Sequence, residues 1–160
     1  MFRFFASFIV ISGAFFIGRA GAFSRRSAIN RLTLLSDGLH SMENDIRALL
    51  LPLPDAFSHA SDFDSFFGEA AKNMADTDAE TAVLRAIKSG SFDRETAAVL
   101  SLFAAGLSAA DAEGQLQNFR TARSRIEKLL EDKELERRQK DKLYGSISVM
   151  AGLALVIVFI

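Results

Sequence analysis

The chain has 160 residues, enough for one domain, with 49% hydrophobic residues, 24% charged residues and a net charge of −1. That balance excludes a uniformly apolar membrane bundle and a disordered tail, and it gives no electrostatic basis for binding nucleic acid. No cysteine occurs, which removes disulfides, thiolate metal sites and cysteine nucleophiles.

At the amino terminus, Phe4 to Gly18 carry no charge, and the apolar run resumes after Arg19 through Phe23. Residues 1–23 are therefore expected to form a transmembrane helix. A cleaved signal peptide is the rival reading, with Arg3 as its charged start and Ala20-Gly21-Ala22 as a small-residue cleavage site. Against it, Ala14, Gly18 and Ala22 recur every four residues, a stripe that suits helix packing in a membrane.

Residues 24–142 follow, with 17 basic and 20 acidic side chains. This is the balance of an ordinary soluble domain. The spacing predicts a helix from Ala28 to Leu51, since Leu32, Leu35, Leu39, Met42, Ile46 and Leu49 alternate in steps of three and four. Pro52 and Pro54 end it, and Pro54 suits the first position of a short helix through Phe57. A third segment places Phe63, Phe66, Phe67, Ala70 and Met74 on one face. A fourth is expected to start at Thr77, with Glu80 completing a capping box, and to turn Val83, Leu84 and Ile87 inward. A fifth begins at Asp93 and carries Ala97, Val99, Leu100, Phe103 and Ala104. Gly90 and Gly106 stand where left-handed helix caps are expected.

The last helix is expected to open at Ser108, with Asp111 three residues on, and to present Leu116, Phe119, Ala122, Ile126 and Leu129 inward. From Glu131 to Lys142 it carries five acidic and five basic residues, including the i,i+4 pairs Glu134–Arg138 and Glu136–Lys140. No breaker separates this stretch from residues 143–160, which are free of charge and are expected to form a second transmembrane helix. Gly145, Ser148 and Gly152 give that span its own small-residue seam. The fold class expected is all-α: a bundle of about six helices over 24–142, its long first and last helices antiparallel, flanked by a span at each end. Basic residues crowd the inner flanks (Arg19, Arg25, Arg26 and Arg31; Arg137, Arg138, Lys140 and Lys142), and only Arg3 lies outside. The bundle is therefore expected in the cytoplasm with both termini across the membrane.

No residue is assigned a catalytic, cofactor or metal role, and an enzyme is not expected. His40 and His59 lie in different elements without metal-ligand spacing. Asp62 and Asp64 precede a helical run and are read as helix-start electrostatics. There is no phosphate-binding glycine loop and no nucleophile elbow. The charged stretch Glu131–Lys142 is either a solvated helix or a lever for a partner.

The order and spacing of several short stretches resemble the stage III sporulation protein AB (SpoIIIAB) family over nearly the whole chain. They are Ile17-Gly18, Arg25-Arg26, the Leu32/Leu35/Leu39 stripe, Met42-Glu43 with Asp45-Ile46, Pro52-Leu53-Pro54-Asp55-Ala56-Phe57 and Phe66-Phe67. Leu102 to Ser108 with Asp111 and Gln115, then Lys142-Leu143-Tyr144 and Ala151-Gly152-Leu153, continue the likeness. Ala105, and Ile147-Ser148 in the last span, depart from the family's pattern. The family is similar to the inner-membrane platform proteins of type II secretion and type IV pilus systems. The resemblance implies a non-enzymatic platform in the mother-cell membrane around the forespore. Its implied partners are a secretion-type ATPase (stage III sporulation protein AA), the other stage III sporulation membrane proteins and membrane lipid. The small-residue seams also permit self-association. A membrane-bound, signal-transducing helical bundle is the alternative from a different class.

Overall fold

The computed structural model describes residues 27–108 and 111–159, with the side chains of 112, 144–149 and 151–159 outside that description. The described residues form six α-helices and one 3-10 turn. They are α1 (27–49), α2 (Leu53–His59), a 3-10 turn (Ala60–Asp62), α3 (Ser65–Asn73), α4 (Ala79–Ser89), α5 (Arg94–Leu107) and α6 (Ala112–Phe159). No strand occurs among them.

Apolar spacing decides the packing. In α1, Leu32, Leu35, Leu39 and Met42 are buried, and they meet Phe57 of α2, Phe66 and Phe67 of α3, Val83 of α4, Leu100 and Phe103 of α5, and Phe119 and Ile126 of α6. Five phenylalanines form the centre. Phe66 and Phe67 lie 5.1 Å apart edge to face, as do Phe103 and Phe119, and Phe57 bridges the two pairs at 6.1 and 6.3 Å. Each such buried side chain contributes about 1.5–3 kcal/mol of transfer free energy.

Four helix starts, those of α3 to α6, obey one rule: an aspartate accepts from the amide two or three residues on. Asp64 accepts from Phe66, Asp78 from Thr81, Asp93 from Thr96 and Asp111 from Gly114. Two expected starts are therefore corrected. The cap of α4 is Asp78, and Thr77 instead donates its hydroxyl to the Asn73 carbonyl. α6 starts at Ala112 behind Asp111, four residues later than Ser108.

The expected glycine caps are also corrected. Gly90 ends α4 at φ −87°, and Gly106 lies inside α5. The left-handed positions belong to Leu50 (φ 53°) and Ser91 (φ 39°). α1 ends at residue 49, two residues before the expected Leu51, and Leu49, expected on the inward stripe, is 63% exposed. The short second helix outruns its expected end at Phe57 and continues to His59.

α6 is one unbroken helix of 48 residues, about 72 Å long. Its pairing with α1 is antiparallel, and side-chain contacts fix the register. Ser36 meets Glu127, His40 meets Arg123, and Glu43 meets Arg120. The two numbers of each pair add to 163. Residue 27 is thus level with residue 136, and α6 runs on past the described start of α1. Among the described residues no helix is long and apolar enough to cross a membrane. Both expected spans fall outside what is described: residues 1–23 wholly, and residues 143–160 in nearly all their side chains.

Candidate functional site

The seam between α1 and α6 carries the most concentrated polar chemistry. Glu43 is 7% exposed. The Arg120 guanidinium donates from Nε to its Oε1 at 2.7 Å, and Arg123 donates from Nη1 to its Oε2 at 3.4 Å. The Glu43 carboxylate raises the pKa of Arg120 above its ordinary value, first by accepting that hydrogen bond and then by its charge. Arg123 Nη1 also lies 2.6 Å from His40 Nδ1, and a guanidinium can only donate, so that nitrogen accepts. Arg123 Nε sits 3.3 Å from Glu127 Oε1, too misaligned for a hydrogen bond. A buried carboxylate held by two arginines fixes the relative position of two helices, because sliding either one strands the charge.

A second cluster stands nearer the start of α1. Arg31 donates from Nε to Asp64 Oδ2 at 3.0 Å and from Nη1 to the Gly90 carbonyl at 2.8 Å. Its guanidinium carbon lies 4.0 Å from the centre of the Phe92 ring. One side chain thereby ties α1 to the caps of α3 and to the α4–α5 turn, where Ser91 is left-handed. Beside it, Lys133 of α6 donates to Asp93 Oδ2 at 2.6 Å and to Glu95 Oε2 at 3.4 Å. Partial burial pushes the Asp93 carboxyl up, but hydrogen bonds from Lys133 and from Thr96 outweigh it and leave it below the usual carboxylate value. The hydrogen bond to Asp93 raises Lys133 in return, against the opposing effect of burial. Arg31, Phe92, Asp93 and Lys133 border a cavity of about 230 Å³. Both cations there are already paired with carboxylates.

The residues weighed in the sequence fall as follows. His40 belongs to the α1–α6 seam, and His59 at the end of α2 lies 3.3 Å from Asp45 Oδ2. Asp64 caps α3 and holds Arg31, whereas Asp62 sits in the 3-10 turn. In the charged stretch, Arg138 pairs with Glu134 at 3.7 Å, Lys140 pairs with Glu136, and Arg137 pairs with Asp141 at 3.8 Å, all one turn apart. Among the described residues no three His, Asp or Glu side chains converge as a metal cage. The seam was not identified in the sequence, although a signal existed. Glu43, Arg120 and Arg123 each follow directly after an inward residue (Met42, Phe119 and Ala122), so each charge flanks the buried stripe.

The family model described as Stage III sporulation protein AB (spore_III_AB) matches residues 3–160. A solved structure titled "Stage III sporulation protein AB (SpoIIIAB)" is similar to this chain with a TM-score of 0.62 and 20% identity, covering 68% of this chain and 94% of the other. At that identity the likeness shows the fold. No curated protein matches by sequence.

Proposed function

The chain belongs to the stage III sporulation protein AB family, and from that premise we propose that it is a non-enzymatic, membrane-anchored platform of the sporulation complex. On this reading the bundle of residues 24–142 stands on the cytoplasmic face of the mother-cell membrane around the forespore. Residues 1–23 and 143–160 anchor it. Its cytoplasmic surface docks a secretion-type ATPase, and its anchors pass mechanical work to the other stage III sporulation membrane proteins.

One observation carries the reading: the antiparallel register of α1 and α6 brings both leads out of the bundle at the same end. A domain tethered by two spans to one membrane face needs that geometry. The basic flanks put that face in the cytoplasm. Beyond Lys133, which reaches Asp93 and Glu95 of α5, the charged stretch Glu131–Lys142 is read as a solvated helix, since Arg137, Arg138 and Lys140 pair within α6 itself.

Affinity purification of the full-length protein from sporulating-cell membranes, with mass spectrometry, tests the partners. Co-recovery of a secretion-type ATPase and neighbouring membrane proteins is expected. Recovery of this protein alone at native expression, across several detergents, would overturn the platform. Topology is tested with Ser91→Cys, an exposed position in a chain without native cysteine. In sealed cells a membrane-impermeant thiol reagent should leave it unlabelled, and labelling would place the bundle outside. Reversing the charges of Arg137 and Arg138 should leave partner recovery unchanged.

A further inference from the structure

Leu50 follows the last residue of α1 with φ at 53°, in the left-handed region that glycine fills at lower cost. Its side chain is 84% exposed, and that of Leu49 beside it is 63% exposed. Among the described residues no other large apolar side chain is as exposed as Leu50. At this position glycine would relieve the backbone and take apolar surface out of water, so stability gives no reason for a leucine. The corner is nevertheless held in place. The Leu51 amide donates to the Asp45 carbonyl at 3.4 Å, and Leu53 packs against the core.

The corner stands at the end of the bundle opposite the leads. α1 carries it about 33 Å from residue 27. In the α1–α6 register Leu50 is level with Glu113, in the first turn of α6. Asp111, the cap of α6, is exposed one turn or less away, and Asp55 is exposed in the first turn of α2, just past the corner. Arg47 is the exposed cation on the last turn of α1. Carboxylates thus outnumber cations around the two leucines.

We propose that Leu49 and Leu50 anchor a soluble protein partner, whose apolar pocket with a basic rim seats this corner. Charge selects the occupant. The acidic rim repels an anionic lipid surface and the same corner of a second copy, and it attracts a basic protein face. The inference rests on the platform reading for the partner's identity, the secretion-type ATPase. It deepens that reading by assigning the docking face to the α1–α2 corner, the part of α1 farthest from the anchors.

The test uses the full-length protein at native expression, affinity-purified from sporulating cells in mild detergent, with the co-recovered ATPase quantified by mass spectrometry. Leu49→Gln with Leu50→Gly should lower that recovery about tenfold or more. Leu50→Gly alone should lower recovery while raising the urea midpoint of the chain, because the left-handed position is relieved. A loss of midpoint and recovery together would make Leu50 a structural residue and overturn the proposal. Leu102→Gln, at an exposed leucine of α5, should leave recovery unchanged. Recovery by the parent chain should fall as salt rises, and Asp55→Asn with Glu113→Gln should flatten that dependence.

A photo-cross-linking benzoylphenylalanine in place of Leu50 should join the chain to the ATPase on illumination. An adduct at dimer mass would give the corner to a second copy, and adducts to lipid alone would give it to the membrane; either result overturns the proposal. If the parent chain recovers the ATPase and the leucine variants recover it equally, the corner fails and the platform stands. If the parent chain recovers none, the platform reading fails and takes the proposed occupant with it.

Discussion

Gly38 faces the ring of Phe67, and a Cβ built there would lie 2.3 Å from Cε2 and 2.7 Å from Cζ. Phe67 is fully buried against Phe57 and Phe66, so its ring has nowhere to retreat. Alanine normally improves a helix interior by about 1 kcal/mol relative to glycine. Here overpacking of about 1–3 kcal/mol opposes that gain. Gly38→Ala is expected to lower the denaturant midpoint, and Gly38→Ala with Phe67→Leu to recover part of the loss. This requirement was not legible in the sequence. A glycine inside a predicted helix reads as a weak point, and the ring that demands it lies 29 positions further along the chain. The buried leucines of α1 were legible, because their spacing alone puts them on one face.

At the scale of elements, the contact of Lys133 with Asp93 joins the middle of α6 to the cap of α5. Asp93 is held below its ordinary value, so its contribution is present above the unfolded carboxylate pKa and is lost as pH falls through the folded one. Lys133 is raised, so its contribution is present below the unfolded ammonium pKa and is lost as pH rises through the folded one. The contact therefore stabilises from about pH 4 to about pH 10. Because both side chains are partly exposed, its worth is at most about 1 kcal/mol. Lys133→Met keeps the Asp93 cap and removes the ion pair. Between pH 7 and pH 3 the variant should lose less stability than the parent chain, measured as the difference in urea midpoints. Helix existence and order were legible because phenylalanine and leucine spacing marks each face. Helix ends were less so, since Thr77 and Ser108 each stand three residues before an acid, as in a capping box, while the actual caps are the charged carboxylates of Asp78 and Asp111.

For the whole molecule, the register of α1 against α6 is the feature that joins all levels. Periodicity predicts two stripes that face each other, but a stripe of leucines slides by a heptad at little cost. The charges flanking it settle which heptad. Removing Arg120 and Arg123 together leaves Glu43 buried without a partner, a cost of about 3–5 kcal/mol. Removing Glu43 instead leaves two arginines at 42% and 30% side-chain exposure, which water can serve. Arg120→Met with Arg123→Met should therefore destabilise far more than Glu43→Met, and adding Glu43→Met to the double variant should restore stability. Equal losses in the single and double variants, read from denaturant midpoints of the full chain, would show that the carboxylate is not the buried partner.

The same pairing sets a clock on biosynthesis. Ser36 waits for a residue 91 positions later in the chain, and Glu43 for one 77 positions later. At a synthesis rate of about 5–20 residues per second, α1 stands on the nascent chain for roughly 4–18 seconds before its last neighbour is made. Helices α2 to α5 can cover its leucines in that interval, whereas the carboxylate of Glu43 stays hydrated until α6 arrives. Closure of the bundle by α6 then follows the making of the other helices, and a chain cut short before Arg120 lacks the cations that Glu43 pairs with.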